Sequence, residues 1–160
     1  MRVAVGADNR GLAMREEVIR VVQQLGHEVE QTPKPEEQTP DYPEVAATVA
    51  LQVQQGKAER GILVARTGMG MCIVANKFAG IRAAVCHDEF MAEMSRHYLD
   101  LNILCLPADL LGRQHVEKLI ETWLKTPFEG GRHAQRVERI AEIEREAAHP
   151  SNPPDGGSNG

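Results

Sequence analysis

Apolar residues in this chain follow two rhythms that alternate along its length. Arg2 to Ala7, Gly61 to Val64, Ile81 to Cys86 and Asn102 to Leu106 are short, nearly continuous apolar runs. His27 to Glu30 alternates residue by residue. These are the lengths and patterns of buried strands. Between them, apolar residues recur at every third or fourth position, as on one face of a helix. Val18, Val22 and Leu25 follow Gly11. Val45, Ala46, Val49, Ala50 and Val53 follow Pro43. Phe90, Met91, Met94 and Tyr98 follow Asp88, and Val116, Leu119, Ile120 and Trp123 form a further set. Strands that alternate with helices predict an α/β fold, with a five-stranded parallel sheet covered by helices on both faces in three layers.

The punctuation residues support these boundaries. Gly26 suits a helix C-terminus. Pro33, Pro35 and Pro40 make Gln31 to Tyr42 a surface loop. Pro43 suits a first helical position, and Gln55-Gly56 ends that helix. Thr126 to Arg132 reads as a loop. From His133 to about Ala147 the pattern predicts a charged helix with a sparse apolar stripe of Val137, Ile140 and Ile143 or Glu144. One subunit would bury such a stripe poorly, so the helix is expected to dock on a partner. One domain is expected over residues 1–147. The Pro-, Gly-, Ser- and Asn-rich residues 148–160 are expected to be disordered.

Bulk composition narrows the function classes. A length of 160 residues with 42% hydrophobic content suits one globular domain. A formal net charge of -5 gives no overall support for nucleic-acid binding. No run is long and apolar enough to span a membrane, and the N-terminus does not resemble a signal peptide. Cys72, Cys86 and Cys105 are odd in number and sit in apolar settings, so they read as reduced thiols in a cytoplasmic protein. No pair has the spacing of a zinc site, and neither a metal nor a cofactor is expected.

Candidate chemistry centres on Gly61 to Lys77. An apolar run breaks at Thr67-Gly68-Met69-Gly70 and restarts as a helix from about Met71 to Phe78. A strand, a glycine turn and a helix start form an anion cradle, because backbone N–H groups point outward there. In parallel sheets, ligands bind beyond the C-terminal strand ends. Asp8, Ala65 to Gly70 and the segment after the fourth strand all fall at such ends.

Several stretches taken together resemble the family of type B ribose-5-phosphate isomerases and galactose-6-phosphate isomerase subunits. They are Gly6-Ala7-Asp8, Asp41-Tyr42-Pro43, Thr67-Gly68-Met69-Gly70, Ala75 to Ala83, Ser95-Arg96, and Glu129 to His133 with Gln135-Arg136-Val137. The resemblance covers the chain up to about Ala147. It implies a Rossmann-like sheet, a dimer with active sites between subunits, and possible pairing into a tetramer. It also implies metal-free interconversion of aldose and ketose sugar phosphates through an enediolate. Asp8 would hold sugar hydroxyls, with Asn9 beside it at the family's histidine position. Thr67, Gly68, Met69 and Gly70 would stabilise the enediolate, with Asn76 and Lys77 keeping the family pattern. Arg132 and Arg136 would bind the phosphate.

The resemblance also exposes departures. The family's base, a cysteine, falls on Ala65. The glutamate used in another branch falls on Met71. The ring-opening histidine falls on Tyr98, next to His97, and the following asparagine falls on Leu99. A family arginine falls on Asp109, with reversed charge. Cys72 reads either as a thiol activated by the helix start, replacing the base, or as a small core residue. Tyr98 reads as a substrate contact or as a helix-face residue, and His97 as a substitute ring-opening group. Arg66 stands where the family has a small residue; it binds a second acidic group or faces solvent. Asp8 also suits a simple helix cap. The implied function is a sugar-phosphate isomerase with altered substrate choice. The alternatives are an impaired subunit paired with a paralogue, and a sugar-phosphate binding protein.

Overall fold

The structure is a computed structural model and describes residues 1–34 and 37–151. Strands β1 (Arg2–Ala7), β2 (Glu28–Thr32), β3 (Arg60–Ala65), β4 (Ala83–Val85) and β5 (Ile103–Pro107) form one sheet in the order β2-β1-β3-β5-β4. Every pairing is parallel. The helices are α1 (Leu12–Gln24), α2 (Tyr42–Gln54), α3 (Met69–Ala75), α4 (Glu89–Leu99), α5 (Arg113–Lys125) and α6 (Arg132–Ala148).

The sheet alternation sorts the side chains into two cores. Val3, Val5, Ile62, Val64, Leu104 and Leu106 face one way and meet Val18 and Val22 of α1 and Leu119, Ile120 and Trp123 of α5. Ala4, Leu63, Ala65, Ile103 and Cys105 face the other way and meet α2 and α3. Gly6 lets α2 approach closely, because a Cβ there would lie 2.8 Å from both Val45 and Val49. The three-layer α/β sheet expected from the pattern is therefore present. No described helix is long and apolar enough to cross a membrane.

Element boundaries differ from the sequence reading where tertiary contacts decide them. β2 runs on through Gln31 and Thr32, which pair with Val5 and Gly6. β4 shrinks to three residues, because only Ala83, Ala84 and Val85 pair with β5. α3 starts at Met69 and ends at Ala75, earlier at both ends than expected, because Gly68 already forms its N-cap. α6 takes in Arg132 and runs to Ala148. Most of the expected disordered tail, residues 152–160, lies outside the described residues, as do Pro35 and Glu36 of the proline loop.

The topology places a crevice between β1 and β3. The chain leaves β1 outward to β2 and then returns across β1 to β3, so the connections diverge at their C-terminal ends. The opposite edge, where the strands begin, carries other elements. Arg82, just before β4, donates to the carbonyls of Leu99 and Asp100, which puts the last turn of α4 on that edge. α6 lies there too: its Glu144 Oε2 accepts a hydrogen bond from Gly80 N at 2.9 Å. α6 buries only His133, and leaves Ile140 and Ile143 exposed.

Candidate active site

The crevice between β1 and β3 opens into a cleft of about 290 Å³, lined by Asp8, Tyr42 and the segment from Ala65 to Met71. Each wall has a local cause. Asp8 ends β1, and its Oδ1 accepts hydrogen bonds from Arg10 N and Gly11 N, each at 3.0 Å. The carboxylate thus tightens the turn into α1 and also lines the cleft. Gly68 adopts φ 74°, ψ -14°, a left-handed conformation that swings the chain from β3 into α3. Thr67 Oγ1 accepts from Met69 N at 3.3 Å and braces this turn. The first turn of a helix leaves N–H groups without intrahelical acceptors, so this segment supplies donors at the cleft.

Tyr42 forms the facing wall and was not singled out as a site residue in the sequence. Asp41 caps α2 by accepting from Tyr42 N at 2.8 Å. The tyrosine ring then lies over Gly70, where a Cβ would stand only 2.7 Å from Cε2. Its one sequence signal was its place in Asp41-Tyr42-Pro43, a stretch that carried the resemblance.

Arg66 also lines the cleft. Its Nε donates to Asp109 Oδ2 at 2.7 Å. The two residues that depart from the family pattern with opposite charge are therefore partners.

Other expected site residues lie elsewhere. Asn9 is exposed and does not line the cleft. Cys72 sits on the flank of α3 toward β4, where its Sγ is 3.4 Å from Ala83 O. A hydrogen bond with the Cys105 thiol, helped by Val85 backbone and Asn76, outweighs burial and lowers Cys72 to about 7. The same contact, together with burial, pushes Cys105 up, and burial pushes Cys86 up to about 11. Asn76 is occupied structurally: Oδ1 accepts from Ala83 N and Nδ2 donates to Ala83 O, each at 2.9 Å. Lys77 is exposed just past the end of α3 and outside the cleft.

His97, Tyr98, Arg132 and Arg136 lie on the strand-start edge, away from their own chain's cleft. Tyr98 stacks on His133 with ring centroids 4.5 Å apart. Glu129 Oε2 lies 3.3 Å from His97 Nε2 and 3.2 Å from His133 Nε2. The His133 nitrogen is buried and off the direction that a hydrogen bond needs. Glu129 N also donates to His97 O at 3.0 Å. The ends of α4 and α6 are thereby fastened together, with Tyr98 39% exposed beside them.

An open parallel α/β sheet with a carboxylate and a glycine turn at its switch point defines a small-molecule site. Residues 3–140 match the family described as Ribose/Galactose Isomerase, and the chain belongs to that family. It is 39% identical over 144 residues to ribose-5-phosphate isomerase B of Escherichia coli, covering 90% of this chain and 97% of that protein. It is also 39% identical over 150 residues to D-erythrulose-4-phosphate isomerase of Pectobacterium atrosepticum, covering 93% and 99%. Among solved structures, ribose-5-phosphate isomerase B of Clostridium thermocellum superposes with a TM-score of 0.87 at 40% identity, covering 92% of this chain and 99% of that one. The Mycoplasma genitalium enzyme with bound ribulose-5-phosphate gives a TM-score of 0.84 at 30% identity, covering 91% and 97%.

Proposed function

We propose that the chain interconverts an aldose phosphate and a ketose phosphate through an enediolate. The observation that carries this reading is the cleft itself, in which the Asp8 carboxylate and the Thr67 to Gly70 turn that opens α3 line one small space. The reaction removes a proton from C2 and returns one to C1, while a hydroxyl proton moves between O1 and O2. Among the described residues Asp8 is the only carboxylate lining the cleft, and neither Ala65 nor Met71 carries a titratable group. The Asp8 carboxylate takes the C2 proton. The Thr67, Gly68 and Gly70 N–H groups stabilise the enediolate oxygen as charge develops there, while Met69 N stays with Thr67 Oγ1. Tyr42 closes the opposite wall.

A single chain leaves this site incomplete, because Tyr98, His97, Arg132 and Arg136 stand on the other edge. A second copy with α6 laid across it supplies them: the two arginines for phosphate, and Tyr98 or His97 for opening the sugar ring. The exposed Ile140 and Ile143 of α6 are the apolar face such docking covers. Cys72 is the alternative base, supported by its lowered pKa and opposed by its position on the flank of α3.

One observation favours a second reading. A cleft with alanine at position 65 suits a subunit that binds sugar phosphate and relies on a paralogue for chemistry, or one that only binds. Incubating the purified protein with ribose 5-phosphate or erythrulose 4-phosphate in deuterated water separates these readings. Exchange at the carbon-bound position identifies an isomerase. Binding without exchange identifies a binding subunit, and exchange only with an added paralogue identifies a paired one.

A further inference from the structure

We propose that Arg66, oriented by Asp109, is the phosphate ligand that each chain contributes to its own cleft. The proposal rests on the sugar-phosphate reading above. Arg66 is the one cationic side chain lining the cleft among the described residues. Asp109 engages it through Nε, at 2.7 Å. Neither Nη atom has a hydrogen-bond partner among the described residues. The guanidinium is therefore held by its side, with the terminal fork open. That fork matches two oxygens of a phosphate monoester, a geometry that a point charge such as lysine does not supply.

The main chain is fixed as well. Ala108 N donates to Ala65 O at 2.9 Å and Asp109 N donates to Arg66 O at 3.2 Å. These bonds carry the β3–β5 pairing past the strand ends, so the two residues stay in register while their side chains meet. Stability does not explain the pair. Both side chains are more than half exposed, at 64% and 51%, and an exposed ion pair contributes little to folding. What the pair does is hold a cation at the mouth of a cleft whose other charged wall is the Asp8 carboxylate. A phosphorylated sugar spans these groups with its phosphate on Arg66 and its C1–C2 end toward Asp8. Asp109 touches no substrate in this arrangement and acts as a positioning residue.

The test is calorimetric titration of the full chain with D-ribose 5-phosphate, inorganic phosphate and unphosphorylated D-ribose. Losing one charge-assisted contact at an exposed site weakens binding by about tenfold. Arg66→Gln is therefore expected to raise the dissociation constant for ribose 5-phosphate about tenfold and to weaken competition by inorganic phosphate by a similar factor, with the melting temperature unchanged. Arg66→Lys restores only part of the loss. In an Asp109→Asn background the Arg66→Gln factor shrinks to about a third, because an unanchored Arg66 contributes less to begin with. Wild-type protein that binds ribose 5-phosphate, with Arg66→Gln binding equally well, overturns this proposal and leaves the isomerase reading standing. An equal Arg66→Gln factor in both backgrounds overturns the role of Asp109. Wild-type protein that binds no sugar phosphate overturns both the proposal and the reading on which it rests.

Discussion

Gly70→Ala isolates the contribution of the Tyr42 wall. Gly70 lies inside the first turn of α3 and has no positive φ, so alanine brings no backbone strain there. The cost is steric. The new Cβ would stand 2.7 Å from Cε2, 3.0 Å from Cζ and 3.3 Å from Cδ2 of Tyr42. Carbon atoms need about 3.5 Å, so the ring must retreat by about 1 Å. Tyr42 is 39% exposed and has room to do so. Helix propensity favours alanine over glycine by about 1 kcal/mol, which offsets the displacement. The melting temperature should therefore move by no more than about 4 °C, as expected for a net change of about 1 kcal/mol in a chain of this size. Function should respond far more, because a 1 Å misplacement of a positioning group costs about 100-fold. Calorimetric affinity for ribose 5-phosphate and the C2 exchange rate should both fall toward that factor. Adding Tyr42→Ala to Gly70→Ala removes the overlap, so Gly70→Ala should not destabilise a Tyr42→Ala chain. Wild-type binding and exchange in Gly70→Ala would refute the wall. A melting loss above about 8 °C would show that the ring is locked rather than displaceable.

Three further outcomes are expected. Gly68→Ala keeps tolerable contacts, with its Cβ 3.4 Å from Leu106 C, but places alanine at φ 74°; the left-handed strain costs about 1–2 kcal/mol and should lower the melting temperature by about 2–8 °C. Asn76→Ala loses both hydrogen bonds to Ala83, about 1–2 kcal/mol together, and should lower the melting temperature while leaving sugar-phosphate affinity unchanged; an affinity loss alone would return Asn76 to the substrate. Cys72 alkylation by iodoacetamide should rise with pH through a midpoint of about 7, since the thiolate is the reactive form and is lost as pH falls below that value, while Cys86, pushed up to about 11, stays unreactive at neutral pH.

The alternation of residues such as Leu63 and Val64, and the helical spacing of Val45, Val49 and Val53, made the layers of the fold legible in the sequence. Local patterns failed where long-range pairing decided the outcome. β4 is short because only Ala83 to Val85 find β5, and β2 is long because Gln31 and Thr32 find β1. Asp8 and the Thr67 to Gly70 turn were legible as residues of one cleft, since each sits where a strand ends. Tyr42 was hidden because its role comes from packing on Gly70, 28 positions along the chain. The Arg66–Asp109 pair was hidden for the same reason, being 43 residues apart. Cys72 looked like a site residue because it follows the turn and Asn76 because it keeps the family pattern, but the helix rotates both toward β4, where Ala83 engages each and Cys105 meets Cys72. His97, Tyr98, Arg132 and Arg136 are close in space to one another and belong to the other edge of the sheet, which no spacing within the sequence reveals.

In the proposed isomerisation Asp8, within this cleft, moves the substrate proton. The most direct test of this step is carbon-bound deuterium incorporation from deuterated water into ribose 5-phosphate, compared among wild type, Asp8→Asn and Cys72→Ala. Loss of a general base typically lowers rate by about 100- to 10,000-fold. Incorporation is expected from wild type and Cys72→Ala, with a loss of that size in Asp8→Asn. Incorporation that survives in Asp8→Asn and disappears in Cys72→Ala would contradict the role of Asp8.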